Sequence, residues 1–254
     1  SATPIPRTIS ACLFGDMDIS VIRDRPEGRK KIETRLVDFT RIRDLMQFMI
    51  DESVAGGRIY WICPRVEEDG QNDLVSVEKR HKFLKKHIGP LGIGSIHGKM
   101  DGKLKDAALE KFRSGETKVL VGTTVLEVGV DVPEASVVVI ESPERYGLSQ
   151  LHQLRGRVGR GGRRGVCLLL VNKTDDGVAE RLKIILTTDD GFEIAEADQL
   201  LRGPGKISGY EQHGESEFKI ADIFRDSGLL EKSKEDAEFL VSDKAALSKD
   251  ERFK

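Results

Sequence analysis

Cysteine is scarce: three in 254 residues, Cys12, Cys63 and Cys167, with no C-x-x-C pair. That excludes a disulfide framework and leaves no zinc-ligand spacing. Each cysteine sits in or beside an apolar run, the setting of a buried, reduced thiol. Long hydrophobic runs are missing too. No stretch approaches the roughly 18 apolar residues of a membrane span, and there is no secretion signal. A cytoplasmic chain with no membrane partner is therefore expected. Charge of one sign is also lacking. The formal net charge is −2, so any surface for nucleic acid has to arise from local clustering. Finally, there is no phosphate-binding loop. The Gly-Lys pairs at 98–99, 102–103 and 205–206 lack both the spaced upstream glycine and the following Ser or Thr.

What is present is an alternation of strand and helix signals. "RIYWICPRV" (58–66) is a strand rich in aromatic and β-branched residues. "SVEKRHKFLKKHI" (76–88) carries Val77, Phe83, Leu84 and Ile88 at helical spacing, with its lysines and arginine read as a solvated face. "GIGSIHG" (92–98) reads as a short strand and turn. "DGKLKDAALEKFRSGE" (101–116) reads as a helix with Asp101 as N-cap, Leu104, Ala108, Leu109 and Phe112 inward, and Gly115 as its stop. "KVLVGTT" (118–124), "SVVVIES" (136–142) and "GVCLLLV" (165–171) are continuous apolar runs, as parallel strands buried on both faces tend to be. "LSQLHQLRGR" (148–157) reads as a helix. This is an α/β chain with an open, mostly parallel sheet. In such sheets ligands sit beyond the carboxyl ends of the strands, so the loops after 122, 142 and 171 are the first candidates. Tyr60 and Trp61 read as core.

The flanks differ. "DISVIRDRP" and "RKKIETRLVDF" are expected to pair as a hairpin around Pro26-Glu27-Gly28. After Asn172 come "DGVAERLKIIL" and "FEIAEADQLL" as helices, a glycine-rich loop, and a charged tail (218–254) read as two helices. The division expected is 1–40 as linker and start of the lobe, 41–175 as the sheet domain, and 176–254 as a helical region.

One stretch stands apart. "HQLRGRVGRGGRR" (152–164) gathers five arginines directly before an apolar strand. Arg157 and Arg160, three apart and alternating with Gly156 and Gly159, suit a polyphosphate. Each guanidinium is a rigid fork of donors that keeps its charge at any working pH. A solvated basic turn is the plain alternative on composition alone. In "TTVLEVGVDVPEA" (123–135), Asp131 could accept from a sugar hydroxyl and Thr123 donate to a phosphate. His152 and His213 have neither nucleophile nor metal spacing beside them to make them catalytic bases.

Read together, "SAT" (1–3), "IHGKM" (96–100), "TTVLEVGVDVP" (123–133) and "QLHQLRGRVGR" (150–160) resemble, in order and spacing, the later motifs of superfamily-2 helicases. Adding "GLSQLHQLRGRVGRG" (147–161) and "DGFEIAEADQLLRGPGKISGYEQHG" (190–214), the chain resembles the RecG family of double-stranded DNA translocases over almost its whole length. The corresponding lobe of a transcription-repair coupling translocase is the alternative. The resemblance implies a RecA-like second motor lobe followed by a helical hairpin and loop that transmits movement. It implies that Arg160 is an arginine finger, with Arg157 and Gln153 in the same motif, and that Gly129 and Asp131 meet ATP. It places Thr123, His97 and Gly98 near a bound strand, and Ser1, Thr3, Arg202 and Gln212 in coupling. The cofactors implied are ATP and Mg²⁺, held mainly by a first lobe that carries the phosphate loop and a D-E-x-[HQ] box. That box, like the loop, is not found here, so an excised piece of a longer protein is expected, inactive alone. The partners implied are branched double-stranded DNA and the upstream motor lobe and wedge domain, in a monomer. A stand-alone nucleic-acid-binding module and an ATP hydrolase of another purpose are the readings from other classes.

Overall fold

Among the described residues six short segments become strands: β1 (Glu33–Asp38), β2 (Arg58–Ile62), β3 (Ile93–Ile96), β4 (Val119–Gly122), β5 (Ala135–Glu141) and β6 (Val166–Val171). The computed structural model describes residues 31–64, 70–123, 132–172, 176–202 and 227–242. The strands form one sheet in the order β1-β6-β5-β2-β4-β3. Every pairing among them is parallel, so each connection must cross back over a face. Four helices make four of the five crossings: α1 (Ile42–Val54), α2 (Gly70–Ile88), α3 (Gly102–Ser114) and α4 (Leu148–Arg155); the connection from β4 to β5 passes outside the described residues. Among the described residues three more come after β6: α5 (Asp176–Thr187), α6 (Gly191–Arg202) and α7 (Ser227–Ser242).

Every residue of β2, β4 and β6 is buried. Helices cover both faces, which is why these strands read as unbroken apolar runs. Alternate residues serve opposite faces. Tyr60, Ile62, Leu120, Val138 and Leu169 pack with Phe112 of α3, Leu151 of α4 and Leu182 of α5. Ile59, Trp61, Val121, Val139 and Leu168 pack with Met49 of α1 and Val77 and Leu84 of α2.

The helix caps agree with the sequence. Asp101 accepts from the Lys103 amide at 2.9 Å, and Gly115 stops α3 at φ +82°. Leu104, expected inward, is 59% exposed; Phe112 is the fully buried residue of α3. Helix α1 was not anticipated, although Leu45, Met46, Met49 and Ser53 mark a buried stripe at helical spacing.

The second arm of the expected hairpin supplies β1. Glu33–Asp38 pairs parallel with β6, Glu33 opposite Val166 through Asp38 opposite Val171; the first arm lies outside the described residues. Two compact units divide the chain, and the described residues up to Ala197 belong to one of them. The sheet unit thus runs past the division expected at 175. The reason is burial: Leu182, Ile185 and Ile194 belong to the core on the α4 side. The second unit takes in the residues from Asp198 onward, including α7.

Candidate functional site

Helix α4 leaves the carboxyl end of β5 and returns along it, so its C-terminus delivers residues 156–165 to the amino ends of β5 and β6. The Gly159 amide donates to Ala135 O at 3.1 Å, Gly161 to Pro133 O at 3.1 Å, and Glu33 to Gly165 O at 2.9 Å. Two glycines are required by this path. Gly159 has φ +73°, a region costly for other residues, and a Cβ there would meet Gly165 Cα at 3.2 Å. At Gly161 a Cβ would fall 2.5 Å from Pro133 O. These glycines let backbone approach backbone. Gly156 ends α4 at an ordinary helical φ of −65°. The arginine stretch therefore lies at the opposite end of the strands from the loops first singled out.

The five arginines divide by role. Arg155 is 2% exposed. Its guanidinium donates to Ile185 O at 2.8 Å, Thr188 O at 2.9 Å and His152 Nδ1 at 2.8 Å, and lies 3.2 Å from Asp189 Oδ1. It caps the C-terminal carbonyls of α5, where a cation is favoured. His152 is the acceptor in that contact. Arg163 donates to Ala55 O at 2.9 Å, just past α1, and Arg164 pairs with Glu33. Of the two residues singled out for phosphate, Arg157 is half-buried and Arg160 exposed; Gln153 is half-buried on α4. Arg160 Nε donates to Gly156 O at 2.9 Å. Gly129 and Asp131 lie outside the described residues. Val132 and Pro133, which come after Asp131 in sequence, are described, and Pro133 is the acceptor for Gly161.

A second group lies at the carboxyl ends. Ile96 of β3 is in register with Gly122 of β4, so His97 and Thr123, one residue on, leave the sheet side by side. Thr123 is buried, 2% exposed. His97 Nδ1 is shielded from solvent and has no hydrogen-bond partner. Gly98 is exposed, and its carbonyl accepts from Lys105 Nζ at 3.0 Å. The described residues singled out thus separate into Arg157 and Arg160 at the amino ends of the strands and His97, Gly98 and Thr123 at the carboxyl ends. Arg202 closes α6; Ser1, Thr3 and Gln212 lie outside the described residues.

Sequence reasoning missed a partly buried charge cluster. Arg80 grips Glu141 with two bonds, 2.6 and 2.8 Å, both side chains 15% exposed. Trp61 Nε1 also donates to Glu141. The Arg80 guanidinium lies 5.0 to 5.4 Å from the ring centroids of Phe39, Trp61 and Phe83, within cation–π range. It ties α2 to the carboxyl end of β5. The signal was available: Val77, Arg80 and Leu84 fall on one stripe of the helix, so Arg80 is not part of a solvated face.

Cys63 and Cys167 are buried and free. Burial pushes both thiols up, Cys167 to about 12 despite the nearby Arg155, and Cys63 further helped by Glu141. An unfolded thiol ionises near ~8.5. Between that value and the folded one, the unfolded chain holds fewer protons, so stability falls with rising pH. Unfolding at pH 9 to 11 is expected to show this decline, by at most about 1.4 kcal/mol per pH unit per thiol. Cys167→Ala should make it shallower. Iodoacetamide at pH 8 should leave both thiols unmodified until the chain unfolds.

Two family models match. Residues 40–162 match the helicase conserved C-terminal domain, and residues 188–253 match the C-terminal part of domain 3 of the ATP-dependent DNA helicase RecG. The chain belongs to the RecG family. It is 44% identical over 239 residues to the RecG of Thermotoga maritima, covering 94% of this chain and 31% of that one. With the RecG of Escherichia coli K12 it shares 42% over 232 residues, 91% of this chain and 34% of the relative. A solved structure of RecG bound to a three-way DNA junction superimposes with TM-score 0.71 and 43% identity, over 91% of this chain and 30% of that one. The chain thus spans about a third of the length of these RecG relatives, and its six-stranded parallel sheet is the RecA-like C-terminal lobe of a RecG helicase. No helix among the described residues is long and apolar enough to cross a membrane.

Proposed function

We propose that this chain is the second motor lobe of a cytoplasmic, ATP-dependent DNA translocase that remodels branched DNA such as stalled forks and recombination intermediates. One observation carries the nucleotide side. The loop bearing Arg157 and Arg160 is strapped, through Gly161 and Pro133, to the segment just after Asp131. Pro133, two residues on from Asp131 in sequence, thus lies against the arginine loop, which supports a shared nucleotide role for the two motifs. Arg160 would meet the γ-phosphate and Arg157 its neighbours, with Gln153 behind them and Gly129 and Asp131 toward the ribose. Guanidinium donors fit phosphate oxygens in both charge and geometry. Bound ATP supplies the phosphoanhydride whose cleavage drives the cycle. This lobe's arginines stabilise charge on the transferring group, and lobe closure brings them to it. Among the described residues no group of three or more His, Cys, Asp or Glu is placed to hold a metal ion, and no step of this lobe is assigned to magnesium.

The carboxyl-edge pair, His97 and Thr123, with Gly98, would contact the strand. Ser1, Thr3, Arg202 and Gln212 would couple hydrolysis to movement. The match to RecG domain 3 over residues 188–253 favours this reading over a transcription-repair coupling translocase.

The test is turnover. This chain alone should hydrolyse ATP no faster than buffer, while a RecG of its relatives' length carrying it as the C-terminal segment should be DNA-stimulated. Turnover by the chain alone would favour an ATP hydrolase of another purpose. In the longer protein, Arg202→Ala should keep most ATP hydrolysis and abolish fork unwinding. Equal loss of both would remove its transmission role.

A further inference from the structure

We propose that Arg58 and Glu134 are positioning residues of the nucleotide edge, setting where the arginine loop sits. The inference rests on the proposed nucleotide role of that edge and adds two residues to it.

Arg58 opens β2 and is 8% exposed. It holds Glu134 twice: its amide donates to Glu134 O at 3.1 Å, and its Nη1 donates to Glu134 Oε2 at 2.5 Å. On the other side, the residues flanking Glu134 hold the arginine loop, since Pro133 O accepts from Gly161 and Ala135 O from Gly159. Residues 133–135 are thus clasped between β2 and the arginine loop. The local pairing is irregular: Arg58 faces Ala135, but Ile59 already faces Val137. An extra residue in a strand bends it and re-aims the neighbouring side chains. Here the extra residue is Ser136, whose hydroxyl donates to Glu52 Oε2 at 3.0 Å. Arg58 on one carbonyl-and-carboxylate pair and Glu52 on one hydroxyl fix the two ends of the irregularity.

The arrangement costs something as a plain ion pair. Arg58 Nε is buried with no hydrogen-bond partner, and the carboxylate that answers its charge is 48% exposed. A buried cation facing a half-solvated anion gains little stability. Its geometric consequence is larger. A backbone ledge displaced by about 1 Å shifts Arg160 by a similar amount, and such misplacement lowers catalysis by about 10²-fold at most.

Glu134→Gln keeps shape and solubility and removes the charge; Arg58→Met is the stronger change, and Arg58→Lys the conservative one. Two readouts are needed. In this chain, Glu134→Gln should speed hydrogen exchange at the Gly159 amide about 10-fold while the Val121 amide in β4 is unchanged. In a RecG of its relatives' length carrying this chain, Glu134→Gln and Arg58→Met should lower kcat for ATP about 10-fold or more, with partial recovery in Arg58→Lys. Combined with Arg160→Ala they should lower it no further, because they act through that residue. Unchanged exchange at Gly159, or losses that multiply with that of Arg160→Ala, would overturn the positioning role. Normal turnover in Arg160→Ala itself would overturn the nucleotide reading beneath it.

Discussion

Arg160→Ala, in a RecG of its relatives' length carrying this chain, should lower kcat for ATP hydrolysis by roughly 10³-fold or more, the range for an arginine that stabilises phosphoryl-transfer charge. The loss should fall on kcat, with KM for ATP changed only slightly, because the contact strengthens as charge develops. Arg160→Lys should recover little, since an ammonium lacks the planar fork of donors. The fold should be indifferent. Arg160 is exposed, and its loop is held by the backbone bonds of Gly159 and Gly161, which the substitution leaves in place. A variant with near-normal kcat, or one that loses activity only by unfolding, would remove the finger assignment.

Arg155→Met should have the opposite character. Five positions earlier in the same stretch, it should destabilise the lobe by about 3 to 5 kcal/mol, the cost of breaking a buried charge-assisted network by removing one partner. The carbonyls of Ile185 and Thr188 lose their donor, and Asp189, 12% exposed, loses its cation. For a unit of this size each kcal/mol lowers Tm by about 2 to 4 °C, so a fall of about 10 °C is expected in thermal melting. Residual folded protein at low temperature should retain its ATP turnover when placed in the longer chain. A melting temperature unchanged by Arg155→Met would mean that the network contributes nothing.

These two residues show what the sequence could and could not convey. That 152–164 was special was legible from composition and spacing. Which arginine served the fold was not, because Arg155 is defined by carbonyls at the end of α5, thirty residues on. The strands β4, β5 and β6 were legible because burial on both faces leaves an unbroken apolar run, and α3 because its cap and stop are local chemistry. The end of the sheet at which the arginines emerge was not legible. It depends on α4 returning along β5, a tertiary fact. Arg80 was misread from the charges around it, although its place beside Val77 and Leu84 was a local clue. Helix α1 was overlooked because its Arg, Asp and Gln residues mask a stripe carried by Leu45, Met46 and Met49.

The most direct measurement of the central claim is a structure of such a RecG, carrying this chain, bound to DNA, ADP and a γ-phosphate mimic. The account predicts the two lobes closed, with the Arg160 guanidinium about 2.7 to 3.0 Å from an oxygen of the mimic. Closed lobes with Arg160 still turned to solvent, and some other cation on that oxygen, would contradict it.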